Sequence, residues 1–170
     1  MGPYDNLGSH MQVQLRLMEG RKLPADGAAE HVKDVRTHRI SLVYAPDVVR
    51  AVMAVLAAGD SVKGEVLHIA QAEAPTILEY YEAVATALSL SDEAAAAAAG
   101  SRQQVTVELD EAEGLILPSV DIGPISIEKA LRLLGPAGWR PTPMAGWLAE
   151  TVAWNLDESN RHYTDHVDDD

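Results

Sequence analysis

The sequence has 170 residues, of which 47% are apolar and 23% are charged, with no cysteine and a net charge of −13. This length allows one ordinary domain or one half of a two-lobed protein, and the acidic balance disfavours nucleic-acid binding because it repels a phosphate backbone. The lack of cysteine excludes a disulfide scaffold, thiolate metal ligands and a thiol nucleophile, and no apolar run reaches the roughly 18 residues of a membrane span.

The first third of the chain alternates patterns typical of helix, turn and strand. Residues 10–19 predict a short helix ended by a glycine, and residues 22–27 are typical of a turn. Residues 40–45 are rich in β-formers and predict a strand, after which Asp47 is expected to accept the first amide hydrogens of a helix that runs to about residue 58. Apolar side chains cover most of that helix, so we expect it to be buried between two layers.

The middle of the chain holds the clearest helix signal. Residues 66–70 form a short apolar run that predicts a second strand. Thr76 and Glu79 then have the spacing of a capping box, in which each side chain accepts a backbone amide hydrogen of the other residue. The sequence therefore predicts a helix over residues 77–88, with apolar residues at helical spacing.

The second half is less regular. Residues 89–119 contain an alanine run and a strand-like alternation at 105–109, and we interpret them as a variable excursion. Ser126 is expected to cap a helix ended by Gly-Pro, and a last helix is expected to begin near Pro143. Residues 157–170 form an acidic tail. Short strands that alternate with helices indicate the α/β class.

No catalytic template is complete in this sequence. There is no glycine-rich phosphate loop, no G-x-S-x-G turn and no H-E-x-x-H, and none of the five tyrosines is followed four residues later by lysine. We therefore expect no catalytic residue, no metal site and no cofactor-binding site in this chain alone.

Five short motifs follow one another along the chain. They are Gly2-Pro3-Tyr4, the stretch from Arg39 to Ala51, the stretch from Val66 to Ile77, the stretch from Asp121 to Pro141, and the stretch from Leu148 to Trp154. In this order they resemble the C-terminal part of the extended short-chain dehydrogenase/reductase family, the NAD-dependent epimerases and dehydratases. The resemblance implies a Rossmann-type fold with residues 1–156 as the substrate-binding lobe. The matching positions in the family follow its cofactor loop and its Tyr-x-x-x-Lys pair.

Basic residues concentrate in the first 50 positions, which hold seven of the thirteen Lys and Arg against six acids. The resembled lobe commonly binds a nucleotide sugar, and the resemblance places Arg39 near the family's substrate-contacting arginine. Arginine suits a diphosphate because it offers paired, charge-assisted hydrogen bonds. Arg21 and Lys22 are further substrate-binding candidates from the same basic region. A solvated surface charge is the alternative for all three.

The resemblance implies the substrate-binding half of an NAD(P)-dependent sugar-nucleotide epimerase, dehydratase or reductase, not catalytic alone and completed by another chain or a missing segment that binds NAD(P). Two alternatives stay open: a non-catalytic structural subunit derived from the same fold, and a free-standing binding domain. Both the enzyme half and the structural subunit imply a protein partner, since the helix around 47–58 would otherwise expose apolar surface. No secretory signal is visible, which favours a soluble, intracellular protein of unknown compartment.

Overall fold

Helices make up most of the regular structure in residues 9–25, 34–99, 105–110, 124–157 and 159–160, which are the residues described by the computed structural model. The helices are α1 (Ser9–Met18), α2 (Ala45–Ala58), α3 (Ile77–Ala99), α4 (Glu128–Leu134) and α5 (Met144–Leu156), with single 3₁₀ segments at Gly59–Val62 and Gly135–Ala137. Two short strands, β1 (Leu23–Pro24) and β2 (Leu109–Asp110), pair in parallel. The predicted helix-rich α/β class is confirmed.

Helix α3 is the centre of the first core, where it packs between α1 and α5. Trp147 of α5 is fully buried there, and its ring stacks on that of Tyr44 with the centroids 6.0 Å apart. The other large buried side chains of this core include Val13, Leu17, Leu23, Ile77, Tyr80, Tyr81, Val84, Leu88, Leu148 and Val152. The predicted last helix is thus confirmed, and it places Trp147 in the core.

A second, smaller core lies between α2 and α4. It contains Ala51, Ala54, Val62, Ala70, Ile127, Ala130, Leu134 and Trp139. The Trp139 indole N–H donates to the backbone oxygen of Asp47 at 3.0 Å, so the one polar atom of this buried ring has a partner. A salt bridge of 2.5 Å between Lys129 and Glu65 links α4 to the segment after α2 and lowers the pKa of the Glu65 carboxyl.

Asp47 does not cap α2, contrary to the sequence prediction. The N-cap is Tyr44, and Asp47 lies within the first turn with its carboxylate buried. That carboxylate accepts hydrogen bonds from the backbone N–H of Thr142 at 2.8 Å, from the Thr142 hydroxyl at 2.7 Å and from the Arg50 guanidinium. Asp47 therefore has a structural role, as predicted, but it holds α2 to the segment before α5 instead of capping α2.

The two strands predicted at 40–45 and 66–70 are absent from the described residues. Arg39 forms one isolated antiparallel bridge with Thr76, and a single backbone bond from Gln71 N–H to Leu42 oxygen joins the two segments. Among the described residues neither segment pairs with a strand in a ladder, and strand formation depends on such a neighbour. The predicted turn at 22–27 instead contains β1. Its partner, β2, begins at the last residue of the alternating stretch 105–109 and ends at Asp110.

Helix α2 has one buried face and one exposed face, whereas the sequence predicts burial on both sides. Ala51 and Ala54 pack into the second core. The opposite side exposes large apolar side chains to solvent: Val48, Val49, Val52, Met53, Val55 and Leu56. The expectation of a second covering layer is therefore wrong for this chain by itself.

Helix α3 runs through residue 99 without the break expected after residue 88. No glycine or proline interrupts residues 77–99, and the hydroxyls of Ser89 and Ser91 donate back to the carbonyls of Ala85 and Ala87 inside the helix. The first eleven residues of the predicted excursion at 89–119 therefore belong to α3.

Two boundaries at the C-terminal side differ little from prediction. Helix α4 begins at Glu128 with Ile127 as N-cap, and the Ser126 hydroxyl accepts the Glu128 N–H at 3.4 Å. Helix α5 ends at Leu156, where the lobe was expected to end. The division into a lobe over 1–156 and an acidic tail over 157–170 stays a prediction, and Gly2-Pro3-Tyr4 and residues 161–170 lie outside the described residues.

Candidate substrate-binding site

Arg39 lies where two segments meet in front of α3. Its bridge to Thr76 is flanked by backbone hydrogen bonds from Ile40 to Pro75 at 2.9 Å and from Ile77 to His38 at 3.0 Å. These bonds fix the main chain on both sides of Arg39 against the first turn of α3. The main chain at Arg39 is therefore held in place by the fold.

The Arg39 guanidinium already has two acceptors. One nitrogen, Nη1, donates to the carbonyl oxygen of Ala74 at 2.5 Å and lies 3.6 Å from Oε2 of Glu79. Both side chains of this ion pair are about half exposed, with 52% of Arg39 and 53% of Glu79 accessible. Such an open pair contributes little to stability, and an anion can approach the other guanidinium nitrogens.

Glu79 has a second task, which was predicted from the sequence. Its Oε2 accepts the backbone N–H of Thr76 at 2.7 Å, and the Thr76 hydroxyl accepts the backbone N–H of Glu79 at 3.1 Å. The capping box is confirmed. Because Arg39 contacts the same carboxylate oxygen, the candidate arginine and the cap of α3 form one small network.

Arg21 and Lys22 lie at the other end of the described basic region, after α1. Arg21 pairs with Glu19 at 3.4 Å across two exposed side chains, and the Lys22 carbonyl accepts a hydrogen bond from Arg16 at 3.3 Å. These contacts are with α1, whereas those of Arg39 are with α3 and the residues before it. The contacts therefore place the three candidates in two groups.

Three polar side-chain pairs lie around α1, α3 and α5, and the sequence analysis did not identify them. His10 Nδ1 and the Tyr80 hydroxyl are 2.5 Å apart, and the Trp147 indole N–H donates to Gln71 Oε1 at 3.1 Å. Asn155 donates to Gln14 at 2.9 Å. The available signal was the i, i+4 spacing of His10 and Gln14 on the apolar face of α1.

Tyr44 is a buried phenol beside these pairs, and its ring stacks on that of Trp147. Burial, together with a hydrogen bond to the nearby Glu150 carboxylate, raises the pKa of Tyr44 well above its ordinary value. The phenol therefore stays protonated at neutral pH and acts as a hydrogen-bond donor rather than as a base.

The N-termini of α2, α3 and α5 are unsuited to a dinucleotide pyrophosphate. Glu79 occupies the N-terminus of α3, and Glu73 accepts the backbone N–H of Met144 at the start of α5 at 3.0 Å. Helix α2 has Pro46, which lacks an N–H donor, and Asp47 in its first turn. A phosphate would meet negative charge at each of these places, so these residues do not fit NAD(P).

Two features are absent from the described residues. No group of three or more His, Asp or Glu side chains within them could hold a metal ion. None of their helices combines the length and apolar character required to cross a bilayer.

Comparison with known proteins gave matches among solved structures alone, since neither protein-family models nor curated proteins matched the chain. Two matching structures are of UDP-glucuronic acid 4-epimerase from Bacillus cereus. The complex with NAD has a TM-score of 0.51 at 17% identity, and the complex with UDP-glucuronic acid and NAD has a TM-score of 0.57 at 18% identity.

Each match covers 91% of this chain, but the chain spans only 39% and 41% of the epimerase chains. A third structure, a point mutant of the same epimerase with NAD and a fluorinated UDP-glucuronic acid analogue, has a TM-score of 0.50 at 18% identity, over 86% of this chain and 38% of that one. At such identities the likeness shows the fold. The chain therefore shares the fold of about two fifths of these epimerase chains.

Proposed function

We propose that this chain is the substrate-binding part of an NAD(P)-dependent epimerase-, dehydratase- or reductase-like protein that acts on a sugar nucleotide. The carrying observation is that 91% of the chain matches about two fifths of an epimerase crystallised with UDP-glucuronic acid and NAD. Hydride transfer belongs to the nicotinamide cofactor. Because the N-termini of α2, α3 and α5 repel a pyrophosphate, the cofactor in this proposal is held by another chain or segment, and the present residues bind and orient the substrate.

Arg39 is the residue that we assign to the substrate diphosphate. Its main chain is fixed against α3, and its guanidinium is half exposed. To bind a diphosphate it exchanges the weak 3.6 Å pairing with Glu79 for paired hydrogen bonds to phosphate oxygens. Arg21 and Lys22, which directly follow α1 and belong to the other group of contacts, are secondary candidates as further basic residues.

The test is a titration of the complete native assembly with UDP-glucuronic acid and other sugar nucleotides. Arg39→Ala should weaken binding by about 1.5–3 kcal/mol, the worth of a hydrogen bond to a charged group, and the loss should shrink as salt rises. Arg36→Ala is the matched control, since Arg36 is an exposed arginine three residues away that pairs with Asp34. Equal losses in both variants would remove Arg39 from the site.

A second function is favoured by a different observation. Arg39 has protein acceptors in Ala74 and Glu79, and carboxylates occupy the starts of α3 and α5. Those contacts also suit a non-catalytic structural subunit derived from the same fold, in which the substrate pocket is no longer used. Flat titrations of the complete assembly with every sugar nucleotide would reject the first proposal and support this one.

A further inference from the structure

Glu79 places a negative charge directly beside the candidate substrate arginine. Its Oε2 lies 3.6 Å from Arg39 Nη1, and the two half-exposed side chains together carry no net charge. An anion that approaches Arg39 therefore meets a weaker positive potential than a lone arginine would give. The position of Glu79 thus bears on which anions the site accepts.

The Glu79 carboxylate is fixed by the start of α3. The same Oε2 accepts the backbone N–H of Thr76 at 2.7 Å, and the Thr76 hydroxyl accepts the backbone N–H of Glu79 at 3.1 Å. Glu79 also lies in the first turn of α3, where the helix dipole favours a negative charge. Movement of the carboxylate would deprive the Thr76 N–H of this acceptor. The negative charge therefore stays in place when a ligand binds.

Arg39 is anchored on the side that faces Glu79. Its Nη1 donates to the carbonyl oxygen of Ala74 at 2.5 Å, so an incoming phosphate binds at the other guanidinium nitrogens. The phosphate and the Glu79 carboxylate are then separated by little more than the width of one guanidinium group. This distance is shorter than the Debye length of about 10 Å at 0.1 M ionic strength, so the two negative charges repel each other.

A sugar nucleotide and the free nucleoside diphosphate differ in charge at the terminal phosphate. The sugar esterifies that phosphate and leaves it about one negative charge, whereas a free terminal phosphate has a second pKa near 6 and carries about −1.5 to −2 at pH 7. The nucleoside and the inner phosphate are the same in both ligands. A fixed carboxylate beside the diphosphate therefore favours the sugar nucleotide.

We propose that Glu79 is a specificity-determining residue that discriminates against free nucleoside diphosphates at Arg39, an inference that rests on the proposed function for the role of Arg39. Arg39 attracts the diphosphate, and Glu79 limits the charge that the site accepts. The capping box then has two roles, since it begins α3 and also holds the selective charge in place.

The test is a calorimetric titration of the complete native assembly with UDP-glucose and with UDP, at about pH 7.5 and about 50 mM salt. Glu79→Gln removes the charge and keeps an acceptor for the Thr76 N–H, because glutamine also serves at this position of a capping box. The affinity for UDP relative to that for UDP-glucose should rise about fivefold. Glu82→Gln is the matched control, since it makes the same change in net charge at an exposed position of α3, and it should change this ratio less than about twofold.

The ratio of affinities separates a selective role from a structural one. If Glu79 only stabilises α3, Glu79→Gln changes both affinities by the same factor, because the two ligands share the nucleoside and the diphosphate. An unchanged ratio, or an equal rise in Glu82→Gln, would overturn the inference, and binding that is lost in Arg39→Ala would still support the proposed function. Flat titrations with both ligands in every variant would reject the proposed function and this inference with it.

Salt gives a second readout of the same charge. The rise in the ratio should disappear at about 1 M salt, where the Debye length is about 3 Å. A rise of the same size at both salt concentrations would show an effect of packing and would overturn the inference.

Discussion

At the scale of single residues, Asp47 joins parts of the chain that are 95 positions apart in sequence. Its buried carboxylate receives both the N–H and the hydroxyl of Thr142, and its carbonyl oxygen receives the indole N–H of Trp139. Arg50 contacts the same carboxylate and also donates to the Thr142 hydroxyl at 2.6 Å. This cluster connects α2 with the segment that leads into α5.

Removal of the Asp47 carboxylate should therefore be costly. Asp47→Ala leaves the Thr142 N–H and hydroxyl without their acceptor and removes the ion pair with Arg50, and we expect a loss of about 2–4 kcal/mol in the free energy of unfolding. Asp60→Ala, at an exposed position shortly after α2, should change it by less than about 0.5 kcal/mol. Urea unfolding of both variants measures the difference, and similar small effects would show that the Asp47 cluster is not formed.

Because of Tyr44, the free energy of unfolding should depend on pH in the alkaline range. Its folded pKa is raised above the unfolded value of about 10, so its contribution is complete below pH 10 and is lost as pH rises towards the folded value. Above pH 10 the wild type should lose up to about 1.4 kcal/mol per pH unit through this group. Tyr44→Phe should flatten that part of the curve, as measured by urea unfolding between pH 8 and 11. Parallel curves for the two proteins would contradict the burial of the phenol.

At the scale of elements, signals that depend on neighbours in sequence predict well. The Thr76 and Glu79 capping box was predicted, and both of its hydrogen bonds are present. The strands at 40–45 and 66–70 were not found, because a strand requires a partner whose position no local pattern reveals. The cap predicted at Asp47 was wrong for a related reason: its carboxylate accepts from Thr142, which lies far along the chain.

The cap of α3 can be tested by one substitution at two positions. Thr76→Ala removes the acceptor for the Glu79 N–H and should destabilise the protein by about 1 kcal/mol. Thr86→Ala lies inside the same helix at an exposed position, and it should be neutral or slightly stabilising because alanine is the better helix former. Thermal and urea unfolding would show the contrast, and equal losses would contradict the role of Thr76 as a cap.

At the scale of the whole molecule, the order of motifs indicated the fold more reliably than any single motif did. Five weak motifs in sequence pointed to an extended short-chain dehydrogenase/reductase, and the matched structures share that fold over 91% of the chain. The candidate site could be predicted only as residue types. The pairing of Arg39 with Glu79 and Ala74 depends on the packing of residues 34–40 against α3, which no pattern in the sequence specifies.

Helix α2 contacts the second core on one face and is exposed on the other, so binding at the exposed face can affect the stability of that core. Its inner residues Ala51 and Ala54 belong to the second core, so a body that binds the outer face only when α2 is folded also stabilises Trp139 and α4. By mass action the gain is RT ln(1 + [L]/Kd), or about 2.7 kcal/mol at a hundredfold excess over Kd. The melting temperature of this core would then rise with partner concentration, and cells that make the chain in excess would hold a less stable population of it.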